Sequence, residues 1–347
     1  MLKLPRRTLV GGVAAAAGLA AFGRTLPAWA ADEVDVEAAK KEGRVVLYTS
    51  LDTKIVDSII AGFTGKYGIK VEYFRGGSAD VTSKVLAEAD ASALQADMVD
   101  ASDVGALLLM KERGLLAPYR SPSTASVPDN LRDPDGTWVA DRLTQAIIQW
   151  NTKELGANPP KTWEALTDPA LKGRLVFFSS ANGDGAPRAY TLAKAFGWEL
   201  LEKLAANEPM RVQTPQLITQ VLESGERAAG FLQNDNIAWR SKGTGKPTDF
   251  VYSAEGVPTE LGGCGVISKS ARPNAARLFF DWWMGEEGQK LLVDGGKYSS
   301  RTDIAPPTGS PPLAELKLLT LDYAEYQANR TEILERMTDI FGGEWGV

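Results

Sequence analysis

Residues 44–74 read RVVLYTSLDTKIVDSIIAGFTGKYGIKVEYF, and the order of patterns in this stretch decides the fold class. Arg44 to Ser50 is a short apolar run rich in valine and aromatic character, the mark of a buried strand. From Asp52 to Phe63 the apolar residues fall at Ile55, Val56, Ile59, Ile60 and Phe63, which is helical spacing. Ile69 to Phe74 then returns to strand character. Strand, helix, strand without a tight hairpin turn is the unit of a parallel sheet with helices on its faces.

The alternation continues outward. Gly76-Gly77-Ser78 is a loop, Asp80 to Ala89 an amphipathic helix, Ala96 to Ala101 a strand, and Val104 to Arg113 a helix stopped by Gly114. A second series begins with a strand at Gln145 to Trp150 and a turn at Pro159-Pro160-Lys161-Thr162 leading into a helix at Trp163. It runs on through strands at Leu175 to Phe178, Ala228 to Leu232 and Gly262 to Ser268. Helices are expected at Ala186 to Phe196, Ile218 to Glu223, Ala275 to Met284 and Gly288 to Val293. Leu313 to Phe341 reads as mostly helical. The expectation is an α/β protein with a largely parallel sheet, and 347 residues suffice for about two domains.

Composition excludes several chemistries. There is no histidine and one cysteine, Cys264. Without imidazole there is no Ser-His-Asp triad, Cys-His pair or HExxH zinc site, and no intrachain disulfide can form. Cys264 lies in an apolar, Gly-rich strand and reads as a small buried residue. With 38 basic and 44 acidic side chains the net charge is −6, a poor basis for binding nucleic acid. Gly243-Thr244-Gly245-Lys246-Pro247 lacks the first glycine of a phosphate-binding loop, and Pro247 blocks the helix that should follow, so it reads as a surface turn.

Residues 1–30 have the form of an export signal: Lys3, Arg6 and Arg7, then an apolar run from Thr8 to Gly23, then Ala28-Trp29-Ala30 as a cleavage site. The run is too short to span a bilayer, which takes ~20 residues. Arg6-Arg7 followed by Thr8-Leu9-Val10 resembles a twin-arginine signal, with Sec export as the alternative. No cysteine lies near the cleavage site, so no lipid anchor is expected. Removing Lys3, Arg6, Arg7 and Arg24 leaves 34 basic side chains against 44 acidic, a net of −10 for an exported, periplasmic chain.

In open α/β sheets, ligands bind at the carboxyl ends of the strands. Those ends here are short, polar and glycine-rich. They supply Ser50 and Asp52, Gly77 and Ser78, Ser102 and Asp103, Ser180, Asn182 and Gly183, and Asn234, Asp235 and Asn236, while Thr214 and Gln216, just before the helix at Ile218 to Glu223, offer further donors. The loop from Ser179 to Gly185 runs into a helix, where free N–H groups and hydroxyls suit an anion, though an ordinary cap loop has the same composition. Asp52 and Asp235 could meet a hard cation or an ammonium group, or serve as loop caps.

Ordered matches run through most of the chain: Val46-Leu47-Tyr48; Gln95-Ala96-Asp97-Met98 leading to Glu112-Arg113-Gly114-Leu115-Leu116-Ala117-Pro118; Asn151-Thr152-Lys153; Pro160-Lys161-Thr162-Trp163-Glu164; Leu171-Lys172-Gly173-Arg174; Ser224-Gly225-Glu226; Phe280-Asp281-Trp282-Trp283; and Glu287-Gly288-Gln289-Lys290. As a set they resemble the periplasmic solute-binding proteins of ABC importers, in the ferric-binding-protein-like branch. The resemblance implies a type II binding-protein fold, two α/β lobes joined by a hinge with the ligand cleft between them. The expected division is 31–143 with about 263–297 in lobe 1, and 144–262 with about 298–347 in lobe 2. It also implies a small-molecule solute, a membrane permease as partner, a monomer, no cofactor and no catalysis.

The departures from that branch bear on the ligand. Its adjacent tyrosines would stand where this chain has Gln233-Asn234-Asp235-Asn236, its histidine ligand near Asp52 and its glutamate near Ser102. The iron-binding set is largely lost, whereas Ser180, Asn182 and Gly183 match the branch's anion-holding helix start. Arg301 in the late loop could meet an anion or form a structural ion pair, and Trp150 and Trp239 could stack in the cleft or pack. The reading is capture of a small organic anion or zwitterion. The rivals are a ferric carrier with another ligand set and a bound anion, and a periplasmic enzyme using Asp52 and Asp235 for acid–base work.

Overall fold

The structure is a computed structural model and describes residues 34–179, 185–343 and 345. The export signal expected over residues 1–30, and Ser180, Asn182 and Gly183, lie outside the described residues. The strands are β1 (Arg44–Thr49), β2 (Lys70–Arg75), β3 (Met98–Ala101), β4 (Val139–Asn151), β5 (Leu175–Phe178), β6 (Met210–Val212), β7 (Ala229–Asn234), β8 (Thr248–Val251), β9 (Val257–Val266), β10 (Tyr298–Ser299) and β11 (Leu318–Thr320). The helices are α1 (Val36–Glu42), α2 (Thr53–Tyr67), α3 (Ser78–Asp90), α4 (Val104–Glu112), α5 (Thr152–Leu155), α6 (Ala186–Phe196), α7 (Trp198–Ala206), α8 (Pro215–Ser224), α9 (Asp235–Gly243), α10 (Pro273–Met284), α11 (Glu286–Asp294), α12 (Tyr323–Ala328) and α13 (Arg330–Phe341).

The strand order is β2-β1-β3-β9-β4-β7-β5-β6, with β8 and β10 beside β4 and β11 beside β9. The expected parallel pairing holds at the two ends: β1 is parallel to β2 and β3, and β5 to β6 and β7. The middle is antiparallel, because β9 and β4 run between the ends and pair in opposite directions with each other, with β3 and with β7. These two long strands tie the halves together. Buried side chains cluster accordingly. Leu47, Ile55, Phe63, Phe279 and Trp283 belong to one core, and Trp163, Phe177, Leu201 and Phe231 to another. Along β4 the core changes between Leu143 and Ala146. Near the end of the chain, Tyr298 and Tyr323 pack in the first core and Tyr326 in the second. Tyr298 is placed there because β10 pairs with β4 at Arg142 and Leu143.

Several local expectations shift. The strand expected from Gln145 starts at Val139, and all thirteen residues of β4 are buried. The strand expected from Gly262 starts at Val257. The segment after Trp163 makes only a 3-10 turn at Glu164–Thr167, and the stretch from Leu313 contains a 3-10 turn and β11 before its helices. Cys264 is buried, and so are Trp282 and Trp283. Among the described residues no helix is long and apolar enough to cross a membrane.

Candidate functional site

The carboxyl ends of β1 and β3 meet the first half of β4 around one buried cation. The Arg142 guanidinium donates through Nη1 to Asp141 at 2.9 Å and also to Asp100. Asp100 in turn accepts from the Thr49 hydroxyl at 2.5 Å and the Ser50 N–H at 3.3 Å. Asp141 accepts from the indole N–H of Trp283 at 2.7 Å. Arg142, Asp100 and Asp141 are all 1% exposed or less. Burial pushes the Asp141 carboxyl up to about 6; Asp100 adds to the rise, while Arg142 and Trp283 oppose it. Space for the guanidinium comes from Gly262 on β9, where a Cβ would stand 2.7 Å from Arg142 Cζ.

The other edge of the guanidinium faces outward. Its Nη2 donates to the Ser102 hydroxyl at 3.2 Å and the Ser50 hydroxyl at 3.4 Å, and the two hydroxyl oxygens are 2.7 Å apart. Ser102 is exposed. Two of the sequence candidates therefore come together, backed by an arginine that sequence reasoning did not single out. The neighbouring candidates do other work. Asp103 caps α4 through the Gly105 N–H at 2.8 Å. Asp52 caps α2 through the Lys54 N–H at 3.0 Å, and its second oxygen accepts from Arg240 at 3.3 Å. At the start of α3 the Gly77 N–H is already taken by the Asp80 carboxylate at 2.9 Å, so it is not a free anion donor; the Ser78 hydroxyl is buried and has no hydrogen-bond partner among the described residues.

On the second lobe, the residues standing in place of a tyrosine pair turn inward. At Leu232, a buried residue with φ of 57°, β7 carries one more residue than β4 opposite it. This bulge aims Gln233 into the core. The Gln233 amide donates to Pro215 O at 2.9 Å, to Thr219 Oγ1 at 2.8 Å and to Gln149 Oε1 at 3.1 Å, anchoring the first turn of α8. That turn presents Thr214 and Gln216, both exposed. Asn234 accepts from Arg188, which also pairs with Glu260. Arg211 donates to the Ser179 hydroxyl at 3.2 Å.

Asp235 is 1% exposed and accepts from the Gln145 N–H at 3.3 Å and the Tyr252 hydroxyl at 3.5 Å. Burial pushes its carboxyl up to about 6, against the pull of the Lys297 charge. Lys297 donates to Asn236 Oδ1 at 3.0 Å and Thr144 Oγ1 at 3.1 Å. Burial lowers its ammonium to about 8; Asp235 opposes this, while Arg142, Arg188 and Arg240 push the same way. Four cations from both lobes thus share one field. Sequence reading missed all of them, although Arg142, beside Asp141 in a stretch with no other charged residue, carried a visible signal. Late-loop Arg301 forms an ion pair with Asp303 at 2.6 Å. Trp239 packs at Gly296, and Trp150 is buried in the second core. Among the described residues no three His, Cys, Asp or Glu side chains group as a metal site.

The Asp235 environment makes a prediction about pH. A carboxyl raised in the folded state binds its proton more tightly there than in the unfolded chain. It contributes stability below about pH 4 that is lost as pH rises through about 6. The difference in unfolding free energy between wild type and Asp235→Asn should therefore move against wild type from pH 4 to 6.5 in urea titrations. A flat difference would remove the assigned desolvation.

The match to known proteins covers the same architecture. Residues 58–318 fit the family described as bacterial extracellular solute-binding protein. The Fe(3+)-binding periplasmic protein of Serratia marcescens is 23% identical, over 87% of this chain and 92% of the relative. Iron-bound HitA of Pseudomonas aeruginosa superposes with a TM-score of 0.74 at 23% identity, over 86% of this chain and 99% of the other. The periplasmic binding protein AfuA of Actinobacillus pleuropneumoniae, with exogenous fructose-6-phosphate bound, also gives 0.74, at 25% identity, over 86% and 98% of the two chains. The fold is that of a type II periplasmic binding protein, two α/β lobes joined by a hinge. Because the family match spans three quarters of its length, the chain belongs to the bacterial extracellular solute-binding proteins.

Proposed function

We propose that this protein captures a small organic anion, a phosphorylated or carboxylated compound, in the interlobe cleft and hands it to the membrane permease of an ABC importer without catalysing a reaction. It would work in the periplasm after export through the twin-arginine route or Sec. The observation that carries the reading is the Arg142 guanidinium standing behind the Ser50 and Ser102 hydroxyls, with Arg188, Arg240 and Lys297 in the same field. Hydroxyl donors backed by fixed cations favour oxyanions and hydroxylated solutes. Asp52 and Asp235 already face Arg240 and Lys297, which weakens the case for a cationic end on the solute. The fructose-6-phosphate in AfuA supports the phosphorylated class. The iron named in HitA and the Serratia protein keeps ferric ion as the rival.

A thermal-shift screen separates them. At a hundred times its Kd a ligand adds about 2.7 kcal/mol. For a chain of this length that raises Tm by about 4 °C. Sugar phosphates, phosphonates and carboxylic acids should include a compound with that effect, and ferric salts with citrate or phosphate should give none. A shift with ferric ion alone, or a coloured iron-loaded protein from purification, would overturn the anion reading. Turnover of a bound solute would favour an enzyme.

A further inference from the structure

One face of α9 reaches away from its own lobe. Asn236, Trp239 and Arg240 follow i, i+3, i+4 spacing and so share that face. The rest of the helix packs with β4, β7, β8 and α8 in the second lobe. Opposite the face stands the Gly295–Lys297 turn after α11, whose Leu292 lies in the first core.

The fit is specific at each position. Asn236 Oδ1 accepts from Lys297 Nζ at 3.0 Å. The Trp239 ring lies on Gly296, where a Cβ would come within 2.8 Å of the ring; with φ of +86° this position requires glycine on both counts. The Trp239 indole N–H donates to Thr308 O at 2.9 Å. Arg240 donates to Gly295 O at 3.4 Å and to Asp52 Oδ2 at 3.3 Å. Asp52 caps α2, directly after β1, and α9 directly follows β7. The contacts therefore join the carboxyl ends of strands in the two lobes, which is the side of the cleft.

We propose that the Asn236–Trp239–Arg240 face of α9 is a grip that holds the lobes closed before any solute arrives, with Gly296 and Asp52 as its seats. This goes beyond the solute reading and does not depend on which solute is bound. A closed state favoured by the chain itself raises the fraction of molecules competent to bind and so tightens apparent affinity for whatever fits. Trp239, Arg240 and Gly296 are positioning residues in this role. The ion pair is about one third exposed on each side and is open to screening by salt, while the ring on Gly296 is not.

Small-angle X-ray scattering on the exported protein, unfolded and refolded to strip bound solute, tests the grip without knowing the ligand. A compact chain of this length has a radius of gyration of about 20 Å. Wild type should sit there. Trp239→Ala with Arg240→Met should open the hinge and raise the radius by roughly 1 Å. Gly296→Ala, which displaces the ring, should behave like Trp239→Ala. Arg240→Met alone changes a partly exposed side chain and keeps the test open if the tryptophan variant fails to fold. It should give part of the rise, and 1 M NaCl should reproduce that part in wild type but not in Arg240→Met. Equal radii for wild type and all folded variants, at either salt, would overturn the proposal, as would a wild type already as expanded as the double variant.

Discussion

Replacing Arg142 by methionine should remove about 3–5 kcal/mol of folding stability, because it leaves Asp100 and Asp141 buried without their cation. For a chain of this size the loss lowers Tm by roughly 5–8 °C, measurable by circular dichroism. The pH dependence should sharpen as well. Burial already raises the Asp141 carboxyl, and without the guanidinium it rises further. The variant should recover stability toward pH 4 and lose it as pH climbs through neutrality, since the folded state then holds a proton that the unfolded chain releases. Adding Asp141→Asn should return part of the loss. A change under 1 kcal/mol with no pH component would mean that the cluster does not carry the charge assigned to it.

Ser102→Glu should abolish anion capture while leaving the fold intact. Ser102 is exposed at the end of β3, so the longer side chain has room and stability should change by no more than about 0.5 kcal/mol. Its carboxylate would stand at the Ser50–Ser102–Arg142 group, which we propose receives an oxyanion. Juxtaposing like charges costs several kcal/mol, so affinity for the organic acid or phosphate found by thermal shift should fall at least 100-fold in isothermal titration. The same substitution restores the acid that the ferric branch implies at this place. Unchanged anion affinity would move the site off the first-lobe wall, and new ferric binding would show that the position tunes the choice between the two ligand classes.

The parts of the fold that were legible are those governed by neighbours a few residues apart. The stretch from Arg44 to Phe74 has strand and helix periods that tertiary packing reinforces, and β1, α2 and β2 lie where those periods put them. The first half of β4 was not legible. Asp141 and Arg142 break its apolar pattern, yet both are buried because Arg142 pairs with Asp141 and with Asp100, which is 42 residues away in sequence. The middle of the sheet was read as parallel for a related reason: strand direction is set by partners far along the chain, and β4 takes β7, β8, β9 and β10 as neighbours.

At the site, the amino-acid sequence alone determined the absence of imidazole, the single thiol and the lack of a tyrosine pair over Gln233-Asn234-Asp235-Asn236. It also placed polar candidates at strand ends, because strand ends follow from local pattern. Which of those candidates come together at the strand ends and which are spent inside the protein was decided by tertiary structure alone. Ser50 and Ser102 are brought side by side by the pairing of β1 with β3. Asp52 meets a cation 188 residues away. Gln233, polar and adjacent to the expected site, is consumed in anchoring α8. A polar side chain hydrogen-bonds whatever packing brings within about 3 Å, and local propensity carries no information about partners that distant in sequence.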